Sequence, residues 1–194
     1  MKHSIHEFFR GREVATGELA DFLDNLPPFR RVEEALRLDA KEQAALFDAV
    51  RDERPVKLED IVPEECAPMK EVIHYGRNTL PMFSYFQKRF CRPDEEGLRE
   101  LWGYNHQLLS PVTGPGYFVT RNCDDGEVLV DYLCVPPRHP AGWPEILPNS
   151  ARLSRFIYYN TRDYLRGVSA HVTIGRATRK GKPMDNWFVL CRED

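Results

Sequence analysis

The sequence predicts an α+β protein in which a helical N-terminal part packs on or beside a C-terminal antiparallel sheet, strongly curved or closed into a partial barrel. Three observations predict it. Apolar residues recur at helical spacing between Phe8 and Val50, and short β-branched and aromatic runs separated by turns dominate after Gly103. The third is a polar link, Thr178 to Met184, whose Gly181 and Pro183 separate the last two such runs, Val168 to Ala177 and Asp185 to Arg192, as a hairpin would. At 194 residues with 42% hydrophobic content, the chain is long enough to bury a sizeable core.

Taken in order, Ser4 and Glu7 stand at capping-box spacing ahead of Phe8 and Phe9, and Thr16 can cap a segment carrying Leu19, Phe22, Leu23 and Leu26. Pro27 and Pro28 end that segment. A second helix covers roughly Phe29 to Leu38, and Asp39 with Glu42 opens a third over Ala44, Leu46 and Val50. Arg51 to Pro68, with Pro55, Pro63 and Pro68 among many charges, reads as a surface connection. It sets a soft boundary between residues 1–55, the helical part, and residues 69–194, a mixed α+β part, which can also form one continuous domain. The aromatic stretch from Lys70 to Phe90 fits either a helix face or extended structure, and Asp94 to Trp102 reads as a helix with acidic residues at its positive end. Gly116 to Thr120 and Glu127 to Val135 form a second strand pair across Arg121 to Gly126. Pro136 to Pro148 cannot form regular sheet, because proline removes backbone donors, so it reads as a loop pinned by Trp143 and Ile146. A helix capped by Asn149 or Ser150 and closed by Gly167 precedes the final hairpin.

The formal charge of -3, with both signs mixed along the chain, offers no field for a nucleic-acid backbone. No run has the apolar length of a membrane span, and the first residues lack the apolar core of a secretory signal. Five cysteines form no CxxC and cannot all pair within one chain, so a reducing, cytoplasmic setting is expected. The histidines fall into no ligand spacing, so no metal and no cofactor is expected. Oligomeric state is left open, a homo-oligomer included.

Two polar residues interrupt apolar runs. Asp131 lies in a strand whose two faces both look apolar, where a carboxylate must be hydrogen-bonded, paired or protonated. It can serve as a general acid or base, or simply pair with an arginine such as Arg121 or Arg176. His171 shares its parity with Ser169, Thr173 and Gly175, a small-residue face that suits either a cavity wall or solvent, while Val172 and Ile174 take the other. Its imidazole can shuttle protons near neutral pH. The two are the candidate catalytic residues. Tyr117, Tyr132, Trp143 and Trp187 are the candidate ligand contacts, since each joins a broad apolar face to a polar tip, although core packing is the ordinary use of such residues. The basic group Arg77, Lys88, Arg89 and Arg92 could meet an anionic group, but reads first as a solvated helix face.

Asp163, Leu165, Arg166, Gly175, Phe188, Leu190 and Arg192 carry a resemblance over about the last sixth of the chain. There the sequence resembles the closing strands of lipocalin-like, calycin-type half-barrel proteins, with a short Asp-x-hydrophobic-Arg segment entering one strand and an aromatic final strand ending in arginine. The lipocalin GxW signature is absent, since Trp102 precedes Gly103. The resemblance implies a cavity for an apolar ligand. The leading functional expectation is therefore a cytoplasmic protein that binds a small apolar or aromatic ligand in a sheet-lined cavity. Two alternatives stand beside it: a metal-independent cyclase, isomerase or hydrolase using Asp131 and His171, and a protein–protein interaction module presented by the helical half.

Overall fold

The computed structural model describes residues 3–80, 84–107, 114–149 and 160–193. A short 3-10 turn, Ile5–Phe9, leads into helices α1 (Thr16–Asp24), α2 (Pro28–Ala35), α3 (Ala40–Ala49) and the single turn α4 (Leu58–Ile61). Among the described residues eight strands follow: β1 (Val72–Asn78), β2 (Tyr85–Cys91), β3 (Leu101–His106), β4 (Tyr117–Asn122), β5 (Val128–Asp131), β6 (Thr161–Gly167), β7 (Val172–Arg179) and β8 (Lys182–Arg192). Each pairs antiparallel with the next, and β8 returns to β1, so the sheet is a closed barrel rather than the partial one expected. Closure satisfies the backbone groups that an open sheet would leave at its edges. The architecture is consistent with a lipocalin-like, calycin-type barrel. Among the described residues, no helix is long and apolar enough to cross a membrane.

Several sequence expectations change. Asp94 to Trp102 is not helical, and Leu101 and Trp102 begin β3. Residues 161–167 of the last expected helix are strand β6, whose buried Thr161, Asp163, Leu165 and Gly167 alternate at period two; residues 150–159 lie outside the described part. The strand expected over Glu127 to Val135 stops at Asp131. Its Oδ1 accepts from the Leu133 N–H at 2.9 Å, and Asn149 Nδ2 donates to the Tyr132 carbonyl at 2.8 Å, so these backbone groups leave the ladder. The final hairpin turns tightly at Lys180 and Gly181, both with positive φ. Of the expected caps, Asp39 and Glu42 form a complete capping box on α3, whereas Ser4 and Thr16 do not act as side-chain caps.

Alternation gives each strand an inward and an outward face. Inward residues, among them Val72, Phe90, Leu101, Phe118, Val128, Leu165, Phe188 and Leu190, join Leu58, Ile61 and Val62 in one cluster. Outward residues of β7 and β8, including Val172, Ile174, Val189 and Cys191, are covered by Leu19, Leu23, Leu46 and Phe47 of the helices. The apolar face of β7 thus points outward, and its small-residue face, Thr173 and Gly175, lines the barrel. A third cluster lies outside β3 and β4, where Trp143 packs on Tyr104 and Tyr117.

One end of the barrel is plugged. Segment 56–62 drives Leu58, Ile61 and Val62 into the opening, and charged or aromatic side chains bind the plug's backbone carbonyls. Arg192 donates to the Asp60 carbonyl at 2.6 Å, Arg92 to that of Val62 at 2.7 Å, and His74 Nε2 to that of Ile61 at 2.9 Å. Orphan carbonyls at the end of a short helix would otherwise be buried without donors.

Candidate functional site

The opposite end of the barrel is open. A cavity of about 230 Å³ enters there, walled by Leu80, Phe86, Ala177 and Phe188 with Asn78, Asn186 and Thr161 near its rim. Lys88, Asn105, Tyr132 and Asp163 form its floor.

Register explains how the floor is shaped. Gly76 pairs with Phe86, Gly103 with Phe118 and Gly175 with Phe188 on neighbouring strands. A β-carbon on any of these glycines would overlap the opposite ring; at Gly76 it would lie 2.6 Å from the Phe86 ring edge. Each glycine therefore lets a phenylalanine lie flat against the sheet, leaving room at the barrel centre. The Lys88 ammonium occupies that room, 5.0 Å from the Phe118 ring centre, 5.1 Å from Phe188 and 4.9 Å from Tyr132. These ring faces favour a cation electrostatically.

The polar bonding of the floor is dense. Lys88 Nζ donates to Asp163 Oδ2 at 3.0 Å, to Asn105 Oδ1 at 3.2 Å and to the Tyr132 hydroxyl, so all three ammonium protons have acceptors. Asn105 Nδ2 donates to the Tyr132 hydroxyl at 2.9 Å and to the Gly116 carbonyl at 3.2 Å, and the Tyr132 hydroxyl donates to Asp163 Oδ2 at 3.3 Å. Lys88 is only 2% exposed and Asp163 5%. Burial pulls the Lys88 ammonium below its ordinary range, against the opposing pull of the Asp163 carboxylate. Burial also pushes the Asp163 carboxyl up, against Lys88 and Tyr132. Both shifts favour passage of a proton from lysine to aspartate.

The sequence-derived candidates are spread over the barrel. Asp131 points outward at the open end, bonded to Arg162 Nε at 3.2 Å rather than to Arg121 or Arg176. Arg121 bonds Glu100, and Arg176 lies over the Trp187 ring. His171 precedes β7 at the plugged end, with Nδ1 3.1 Å from Arg192. Asp131 and His171 therefore sit at opposite ends and do not converge. Tyr117 and Trp143 pack outside the wall, with the Tyr117 hydroxyl donating to the Pro144 carbonyl, and Trp187 lies outside β8. Tyr132 alone among the six reaches the barrel interior.

Lys88, Asn105 and Asp163 are floor residues absent from the expected site, although Lys88 stands in the basic group and Asp163 among the residues that carry the resemblance. Lys88 is not part of a solvated helix face: Phe86, Lys88 and Phe90 share one strand parity, which places a lysine between two phenylalanines on an interior face. Asp163 likewise alternates with Thr161 and Leu165. Asn105 carries no comparable signal.

A larger groove of about 550 Å³ lies outside the barrel, between the 3-10 turn, α1 and α2. Its Glu18, Asp21 and Arg30 stand exposed at the rim, and its buried Glu34 is already engaged by the Ile5 N–H at 2.8 Å and by Arg37 at 2.8 Å. Among the described residues no group of three or more His, Cys, Asp or Glu side chains could hold a metal ion. Comparison of the chain with protein-family models, curated proteins and solved structures finds no match.

Proposed function

We infer that the protein binds a small, mostly apolar ligand in the open end of the barrel, with one polar group of that ligand resting on the Lys88–Asn105–Tyr132–Asp163 floor. One observation carries this reading. A buried lysine–aspartate pair is costly to desolvate and is commonly no more stable than apolar residues of the same volume, so its place at the base of an open cavity argues for use rather than for stability. The other end, filled by Leu58, Ile61 and Val62, needs no such group. Eight-stranded barrels have interiors just wide enough to be filled by side chains or to hold one small ligand. At about 230 Å³ the cavity is smaller than the roughly 300–1,000 Å³ of drug-sized sites, so the ligand is small. Phe86, Phe188 and Leu80 supply its apolar contacts and Tyr132 a polar one. The five cysteines, all among the described residues, form no disulfide, as a cytoplasmic, reducing setting would have it.

A second reading, metal-independent proton-transfer catalysis, draws on the 3.0 Å contact of Lys88 and Asp163 at the base of the cavity, where burial lowers the one and raises the other. In it Lys88 and Asp163 take the acid–base roles, not Asp131 and His171.

Organic extraction of the purified protein followed by mass spectrometry, with a thermal-shift screen of small lipophilic compounds, tests the binding reading. The expected result is a co-purifying compound or a stabilising hit whose effect disappears in Phe188→Trp, which fills the cavity. No recovered compound and no hit across the screen would sink it.

A further inference from the structure

The composition of the barrel floor selects one ligand chemistry over others, a selection that rests on the open end being a binding site. Lys88 and Asp163 stand 3.0 Å apart, so the floor is neutral as a unit. A carboxylate or phosphate entering toward Lys88 would also meet the Asp163 carboxylate, and an ammonium approaching Asp163 would meet Lys88; like charges desolvated together are strongly unfavourable. A neutral carbonyl group meets neither objection. It also has what the floor can use: an electrophilic carbon for the Lys88 amine and an oxygen that can take the Tyr132 hydroxyl proton in place of Asp163.

We propose that Lys88 condenses reversibly with a small aldehyde or ketone whose apolar body lies against the contacting rings of Phe86 and Phe188, forming an iminium whose counter-ion is Asp163. The proton of the ammonium first passes to Asp163, freeing the Nζ lone pair. The lone pair attacks the carbonyl carbon, and the carbonyl oxygen takes up the proton released from nitrogen, giving a carbinolamine. Asp163 then returns its proton to the departing hydroxyl, which leaves as water while the nitrogen lone pair forms the C=N bond. The balance is ammonium, carboxylate and carbonyl on one side; iminium, carboxylate and one water on the other. No electrons are gained or lost. The product keeps one positive charge beside Asp163 and among the rings of Phe118, Phe188 and Tyr132, so the charges that the ground state holds are held again in the adduct. Burial favours the free amine that the first step needs.

The test incubates the intact protein with benzaldehyde, hexanal and cyclohexanone in the presence of sodium cyanoborohydride, which reduces imines to stable secondary amines, and locates the adduct by peptide mapping. The matched alcohols are followed in parallel by thermal shift and ligand-observed NMR. The expected result is one adduct, on Lys88, formed about tenfold or more faster than on exposed Lys180 or Lys182. Tyr132→Phe, which keeps the ring, is expected to slow the adduct while the alcohols still bind. Alcohols that bind without any Lys88 adduct from the carbonyl partners would overturn the imine and leave the binding reading standing. Adducts confined to exposed lysines would overturn it as well. Neither alcohol binding nor adduct, across all three pairs, would overturn both.

Discussion

Lys88 on β2 and Asp163 on β6 meet at 3.0 Å across the barrel, four strands apart in a ring of eight, so the pair spans the interior from opposite walls. It therefore ties the two halves of the barrel to each other. Desolvation makes that tie asymmetric: the pair contributes little net stability, but either member left alone is expensive.

Replacing one partner should consequently cost more than replacing both. Lys88→Met is expected to lose about 3–5 kcal/mol in urea denaturation, and Lys88→Met/Asp163→Leu to regain most of it. The single variant should also acquire a pH dependence. Without Lys88 the folded-state pKa of Asp163, already above 3.8, rises further; its favourable contribution is present below 3.8 and is lost as pH rises through the folded value. Lys88→Met should therefore weaken from acidic toward neutral pH. A double variant less stable than either single one would contradict this account.

Gly175→Ala places a methyl group against the flat ring of Phe188. Overpacking of this kind costs typically about 1–3 kcal/mol, and it can be relieved only by turning the ring toward the cavity. Thermal denaturation should show the loss, and any ligand found by the screens should bind more weakly. Gly97→Ala, whose added carbon meets nothing within 4 Å but whose φ is +77°, separates backbone strain from crowding of the cavity: it should lose stability without changing binding.

Asp131→Asn tests whether the outward carboxylate matters to the interior. Its amide oxygen can still accept from the Leu133 N–H, and Arg162, 45% exposed, makes a pair that solvent screens, so the expected loss is at most about 1 kcal/mol. Ligand binding measured by thermal shift should be unchanged. A loss of binding comparable to that of a floor variant would return Asp131 to the site.

The Cys91 thiol is pushed up to about 12, first by burial and then by the Asp94 and Glu71 carboxylates, against Arg138. Its contribution to stability is present below the ordinary 9.0 and is lost progressively as pH rises from there through about 12, so it weakens the fold across that alkaline window. At mildly alkaline pH, titration of the native protein with a thiol reagent should find Cys91 and the equally buried Cys191 silent, with reaction limited to Cys66, Cys123 and Cys134. Reaction of Cys91 before unfolding would show that the outer β3–β4 cluster opens readily.

Local order determines much of what can be read directly from the chain. The Asp39–Glu42 box places the start of α3, the breakers near Gly181 place the last hairpin, and period-two alternation divides the residues of β7 and β8 into two faces. Alternation cannot say which face is inside, because a barrel wall buried beneath helices is apolar on both sides. Thr173 and Gly175 therefore read as readily toward solvent as toward a cavity, and only closure of β8 on β1 turns them inward. The floor lies further still from the sequence. Asp131 and His171 look alike because both interrupt apolar runs, yet the topology sends them to opposite ends, whereas Lys88 and Asp163 are 75 residues apart and meet at the centre. A strand's own residues determine which side chains share its face. Which side chains meet across the ring is decided by strand order, register and closure, which no local pattern contains.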